Sequence, residues 1–175
     1  MSHGVYSSTD HCPGVQGVQE RYAPSSICFG CGPTNADGLR ISSDEGSDGS
    51  LVARFTPETH HHAFPGVVSG GILATLLDCH ANWTAAMALK RAGKLAQPPP
   101  TVTAEITVKM RKPTPMRELL ITAKPVEVKD DRCWVEATIS PSSDPDLVTA
   151  TARGLFVAVK PGHPAYHRWS RPGAL

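Results

Sequence analysis

No stretch of this sequence reaches the roughly 18 consecutive apolar residues that a membrane-spanning helix needs, so no spanning helix is expected. An excess of charge is also missing: the formal net charge is +1 and only 19% of residues are charged. That leaves no basic field to attract nucleic acid or an anionic membrane surface. The five cysteines are odd in number and scattered, which argues against a disulfide scaffold and for a reducing, cytoplasmic setting. The opening MSHGVYSSTDHCPG is polar and has no apolar centre of the kind a secretory signal carries. Phosphate-binding glycine loops of the mononucleotide or dinucleotide type are absent, as are internal repeats. What remains is a neutral chain of 175 residues, enough for one domain whose core needs neither disulfide nor metal.

Residues 1–26 are rich in Gly, Ser, Pro and His without a period and read as a loosely packed lead-in. CFGCGPTNADG, from Cys28 to Gly38, is turn chemistry. GLRIS and SLVARF read as two strands of a hairpin around the polar SDEGSDGS, and PETHHHAFPG reads as a loop. From Gly70 to Ala92 the chain is apolar on nearly every side (Ile72, Leu73, Leu76, Leu77, Trp83, Met87, Leu89), which predicts a buried helix rather than an amphipathic one. Ser69 suits its N-cap and QPPP its stop. Four strand segments follow. In TVTAEITVKM the alternation predicts Val102, Ala104, Ile106, Val108 and Met110 on one face and Thr101, Thr103, Glu105, Thr107 and Lys109 on the other. ELLITAKPVEVK carries Pro125, a mark of an edge or a bulge. RCWVEATIS and LVTATARGLFVAVK complete the set, and residues 161–175 form an aperiodic tail. The layout is α+β: one curved antiparallel sheet wrapped around one long helix, in a domain spanning 27–160. One sheet cannot cover a helix that is apolar all round, so a second copy of the chain is expected to cover the rest.

Two features of the helix carry a local cost. Glycine in a helix costs about 1 kcal/mol relative to alanine, yet Gly70 and Gly71 open it. A carboxylate, Asp78, sits in its apolar middle, where burial is expensive without a partner. Bare amides at a helix start can bind a developing oxyanion; close backbone packing would equally require glycine. Asp78 shares a face with Gly71, Thr75 and Asn82. It is either a carboxylate satisfied by Thr75 or Asn82, or a catalytic base or nucleophile. Gly70 and Asp78 lie eight residues apart, about 12 Å along the axis. One carbonyl cannot be polarised at Gly70 and attacked from Asp78 of the same helix. Two antiparallel copies bring the start of one helix beside the middle of the other and create two equivalent sites.

Three stretches, CFGCGPTNADGLRI, FPGVVSGGILATLLDCHANWTAA and TVTAEITVKMRKPTP, together resemble the hotdog-fold thioesterases of the PaaI-like group, over about Cys28 to Val159. The resemblance implies hydrolysis of acyl-coenzyme A by homodimers or homotetramers with sites at the interface. It implies that the Gly70 amide polarises the thioester carbonyl, that Asp78 activates water or attacks, and that Thr103 helps hold the water. The family usually has His-Gly-Gly where this chain has Ser69-Gly70-Gly71; serine can cap and donate one hydrogen bond but cannot act as a cation. His62 is the candidate for the water contact that some relatives make from the preceding loop. No metal or redox cofactor is required by this chemistry.

Coenzyme A carries phosphates, so Arg111, Lys112 and Arg117 are candidates for the entrance, with solvated surface charge as the plain alternative. Gly71, Ser69 and Asn82 complete the expected substrate-binding set. Cys28-x-x-Cys31 supplies half a zinc ligand set, which His60, His61 or His62 would have to complete; no metal is expected. Cys79 and Cys133 read as small core residues, and His80 as a packed or interface histidine. The expected function is an acyl-CoA thioesterase. The alternatives are a hotdog protein that binds acyl-CoA or another apolar ligand without cleaving it, and, third, a hydratase or dehydratase.

Overall fold

The long apolar segment forms helix α2, Gly70–Ala92, with the bounds its composition predicts. Fourteen of its residues, from Leu73 through Leu89, are buried. The computed structural model describes residues 16–169; the remainder of the expected lead-in and tail, 1–15 and 170–175, lies outside them. In chain order the elements are α1 (Val18–Tyr22), β1 (Ser43–Glu45), β2 (Leu51–Phe55), a 3-10 turn (Thr59–His61), β3 (His62–Phe64), β4 (Val67–Val68), α2, β5 (Thr101–Met110), β6 (Leu119–Lys129), β7 (Arg132–Pro141) and β8 (Ala150–Ala158). Six strands make one antiparallel sheet in the order β1-β2-β6-β7-β8-β5, and β3 and β4 pair separately. Helix α2 packs against β5, β6, β7 and β8. The sheet supplies Leu119, Ile121, Val135, Ile139 and Phe156 to the core, and the helix supplies Leu76, Leu77, Trp83 and Met87. The sheet curves around the helix without closing into a barrel, as expected. None of the described helices is long and apolar enough to cross a membrane.

The structure differs from the sequence expectation at four places. GLRIS is not a strand: Arg40 takes a positive φ of 47°, which breaks extension, and the amides of Leu39 and Ile41 bond back to the carbonyls of Phe29 and Gly30. The hairpin strand is displaced to Ser43–Glu45, opposite Leu51–Ala53. PETHHHAFPG is not wholly a loop; it carries β3, which turns at Gly66 with φ 83° to pair with β4 just beyond it. Residues 16–26 are not loosely packed, since Val18, Gln19 and Ala23 are fully buried. The alternation in β5 is interrupted. Thr103 pairs with Phe156 and Glu105 with Leu155, so Ala104 is an extra residue, a bulge. Upstream of it Thr101 and Thr103 face α2; downstream Ile106 and Val108 do, packing on the core. The expected grouping of Thr103 with Glu105, Thr107 and Lys109 is thereby corrected. The bulge expected from Pro125 does occur, between Pro125 and Glu127.

A buried polar chain fastens the amino-terminal elements to the helix. His80 Nε2 lies 3.0 Å from the Leu51 carbonyl oxygen, which can only accept, so this nitrogen carries the proton. Its Nδ1, 2.9 Å from Ser43 Oγ, accepts from that hydroxyl. Ser43 Oγ in turn accepts from Gln19 Nε2 at 2.9 Å, and Gln19 Oε1 accepts from the Ser43 amide at 2.8 Å. Every group in the chain has a partner, which is what makes its burial tolerable. Burial pushes the imidazole down from its ordinary 6.5 to about 4. Between those values the unfolded chain binds a proton at His80 that the folded chain does not. Stability that is intact above pH 6.5 therefore drains away as pH falls towards about 4. His80→Gln is expected to flatten that section of the pH–stability profile relative to wild type, read from denaturant midpoints on either side of the window.

Candidate active site

Ser69 occupies the N-cap position of α2, but its side chain makes no capping bond. The following glycines are not there for packing within the chain. A Cβ at Gly70 would meet only the Met110 Cε, at 3.6 Å, and one at Gly71 only the Ser69 Oγ, at 3.8 Å. Both are ordinary contacts. The close-packing explanation therefore fails among the described residues, and the first-turn amides have no intrahelical acceptors. Beside them is a cavity of about 370 Å³ lined by Phe64, Val68, Gly70, Leu73, Met110 and the basic pair Arg111 and Lys112, among others. Phe64 and Met110 are half or more exposed there. Arg117, the third basic candidate, is exposed and is not part of that lining. His62 sits on β3 next to Ala63 and Phe64 of the cavity wall, with Nδ1 2.6 Å from the Thr59 carbonyl oxygen. Its neighbour His61 is buried and accepts the Glu58 amide at 2.9 Å.

Two turns along the helix, Thr103 Oγ1 donates to Asp78 Oδ1 at 2.7 Å. The β5 bulge makes this bond possible, because a regular strand keeps Thr103 in phase with Glu105. Asn82, one turn beyond Asp78, is 4% exposed. Its Oδ1 accepts from Thr101 Oγ1 at 2.8 Å, and its Nδ2 reaches Thr103 Oγ1 at 3.4 Å. Asn82 is thereby tied to both threonines of β5 that face the helix. Thr75 returns its hydroxyl to the Gly71 carbonyl at 3.0 Å and does not satisfy Asp78. Burial raises the Asp78 carboxyl above its ordinary value; the Thr103 hydrogen bond and the nearby positive charge of Arg168 pull in the other direction. Arg168 is anchored by a hydrogen bond to the Thr101 carbonyl, and Trp169 stacks on Trp83 with ring centroids 4.3 Å apart. The chain after β8 therefore folds back over this part of the helix.

One constellation escaped the sequence reading. The sulfurs of Cys28, Cys31 and Cys79 all lie within 4.8 Å of one another. Cys79 had the look of a core residue because nothing in its helical neighbourhood signals the loop it meets. The histidines 60–62, which a zinc site at the C-x-x-C pair would have needed, are not members of this cluster.

A raised carboxyl pKa means that the folded chain holds the Asp78 proton more tightly than the unfolded one, so stability falls as pH rises through the interval between the two values. Asp78→Asn keeps an acceptor for Thr103 and removes the charge. At neutral pH it is expected to unfold at the same or a higher temperature than wild type, with any gain vanishing under acid conditions. Calorimetry across pH checks this, and a lower melting temperature at neutral pH would contradict it.

No protein-family model matches the chain, and no curated protein sequence matches it. Solved structures do. A thioesterase superfamily protein from Shewanella loihica PV-4 aligns with a TM-score of 0.57 and 29% identity, covering 69% of this chain and 91% of that one. A protein from Bacillus halodurans, solved with CoA, aligns with a TM-score of 0.56 and 25% identity over 70% of this chain and 76% of its own. The Escherichia coli PaaI protein, from the phenylacetic acid degradation operon, shares the fold at a TM-score of 0.56 and 19% identity, over 70% and 81% of the two chains. The sheet order, the helix it wraps and these alignments agree: the chain has the hotdog fold of the thioesterase superfamily.

Proposed function

We propose that the protein is a cytoplasmic acyl-CoA thioesterase that works as an antiparallel homodimer, or a homotetramer made of two such dimers, with each site built from both chains. Water adds to the thioester carbonyl carbon, the carbon–sulfur bond breaks, and coenzyme A leaves as its thiol with the proton taken from water. Asp78 accepts that proton as general base, with Thr103 fixing the carboxylate and the approach of water. The Gly70 amide of the facing helix, with Gly71 beside it, stabilises the oxyanion. The cavity next to Gly70 takes the thioester end of the substrate, and Arg111 and Lys112 meet the phosphates of coenzyme A. That a structural relative from Bacillus halodurans was solved with CoA supports this ligand class.

The observation that carries the reading is the Asp78–Thr103 bond on a helix whose opening glycines serve no packing purpose in their own chain. About 12 Å of helix separates Gly70 from Asp78, and a second, antiparallel copy removes that separation. Strand β5, which carries Thr103, is the last strand of the sheet and, among the described residues, has an unpaired edge, which such a copy would cover. The hydratase alternative loses ground, because both ring nitrogens of His80 are occupied in the buried polar chain. Non-hydrolytic binding of acyl-CoA keeps one supporting feature, the uncharged Ser69 at the helix start.

Free thiol released from a panel of acyl-CoAs tests the proposal. Asp78→Asn is expected to leave the oligomer intact and cut turnover at least tenfold. Gly70→Ala has room for its methyl group within the chain and is expected to fold normally while losing turnover. Acyl-CoA binding by calorimetry with no thiol released from any substrate would establish the binding-protein reading instead. Turnover requires ionised Asp78, so the rate should rise with pH through a carboxyl pKa above the ordinary range. Arg168→Ala, by removing the opposing charge, is expected to move that limb to higher pH.

A further inference from the structure

Beneath the acidic residue of α2 the structure brings together a group of side chains that the hydrolysis above does not use. Cys28 and Cys31 come from the turn 28–32, and Cys79 comes from the rigid middle of the helix. Cys28 Sγ is 3.8 Å from Cys79 Sγ, and all three sulfurs fall within 4.8 Å of one another. Cys31 and Cys79 are buried and Cys28 is partly so. Thiolates bound to Zn²⁺ at about 2.3 Å in tetrahedral array stand roughly 3.8 Å apart. A disulfide, by contrast, needs sulfurs about 2.05 Å apart and would use only two of the three.

The approach of turn to helix is built in. A Cβ at Gly30 would lie 2.3 Å from Cys79 Sγ and 2.9 Å from Thr75 Cγ2, so only glycine lets the turn come this close. The turn is held by the Gly32 amide bonding to the Cys28 carbonyl at 2.8 Å and by the Leu39 and Ile41 amides bonding to Phe29 and Gly30. The sulfurs also collect donors. The Gly30 and Cys31 amides point at Cys28 Sγ, and the Trp83 indole N–H donates to Cys31 Sγ at 3.3 Å. Hydrogen bonds of this kind orient and stabilise thiolate ligands around a metal.

We propose that Cys28, Cys31 and Cys79 form a three-thiolate site for one soft, closed-shell cation of the Zn²⁺ or Cu⁺ kind, which clips the turn 28–32 to the middle of α2. Soft thiolate donors select such cations over hard ones. Three protein ligands leave a coordination position for an exogenous ligand if the ion is Zn²⁺, and fill a trigonal set if it is Cu⁺. Binding ties together two segments about 50 residues apart in sequence and stabilises the folded state by mass action.

The test titrates the reduced, full-length protein with Cd²⁺ as the spectroscopic probe, with Zn²⁺ and Cu⁺ as competitors. The expected result is a thiolate-to-metal charge-transfer absorption that saturates at one equivalent per chain, together with a rise in unfolding temperature. Cys28→Ser, Cys31→Ser and Cys79→Ser should each weaken binding at least tenfold while keeping the circular dichroism of the wild type. Cys12→Ser and Cys133→Ala should leave it unchanged. Competition shows which cation is preferred. Absence of a one-equivalent endpoint overturns the proposal, and so does a band that survives Cys79→Ser at full strength. An intramolecular disulfide within the cluster, with no metal uptake after reduction, overturns it as well. The readouts are absorbance and thermal stability, not turnover, so their failure leaves the hydrolase reading untouched.

Discussion

The fold depends on covering a helix that is apolar on nearly every side. Burial of apolar surface stabilises at roughly 25 cal/mol per Å², and α2 offers such surface from Leu73 to Leu89 with scarcely a break. Four strands wrap one side of it. The turn 28–32, the Gln19–Ser43–His80 chain and the stacked Trp83–Trp169 pair close over others. The polar stripe from Gly71 through Thr75 to Asp78 is the part of the helix that this cover does not fully bury. There the structure keeps a charge-bearing group, partly buried and held by one hydroxyl. A carboxyl in this setting costs stability, and such costs are characteristic of sites retained for function.

Much of this was legible in the residues themselves. The uninterrupted apolar run before QPPP marks α2, because no other element accommodates such a run at that length. The alternating strands after it mark the sheet, and the Gly-Gly and Asp78 anomalies mark the candidate site, because each violates a local preference with no local benefit. Legibility ended where tertiary contacts decide the backbone. Arg40 adopts a left-handed conformation only because the neighbouring amides find acceptors in the cysteine turn. Helix α1 has five residues, too few for a period to show. Cys79 carries no signal of its neighbours, since the loop that meets it lies about 50 residues earlier in the chain.

The two halves of the proposed site are also differently encoded. The acid, its threonine and the asparagine behind that threonine are joined by direct hydrogen bonds within one chain. The glycine half makes no comparable contact with them. Its amides and the apolar cavity beside them face outward, bordered by Phe64 and Met110. A site divided in this way links catalytic competence to assembly, so that concentration and partner exchange become levers on the chemistry.

The extra residue in β5 has an evolutionary corollary. Side chains on the two sides of Ala104 obey opposite phases, so the threonine that holds the acid and the aliphatic residues that seal the core belong to separately adjustable segments. Loss of a single codon at that point would turn Thr101 and Thr103 away from the helix while leaving Ile106 and Val108 in place. A lineage losing that codon would free the acid from its threonine and keep the scaffold, in one genetic event.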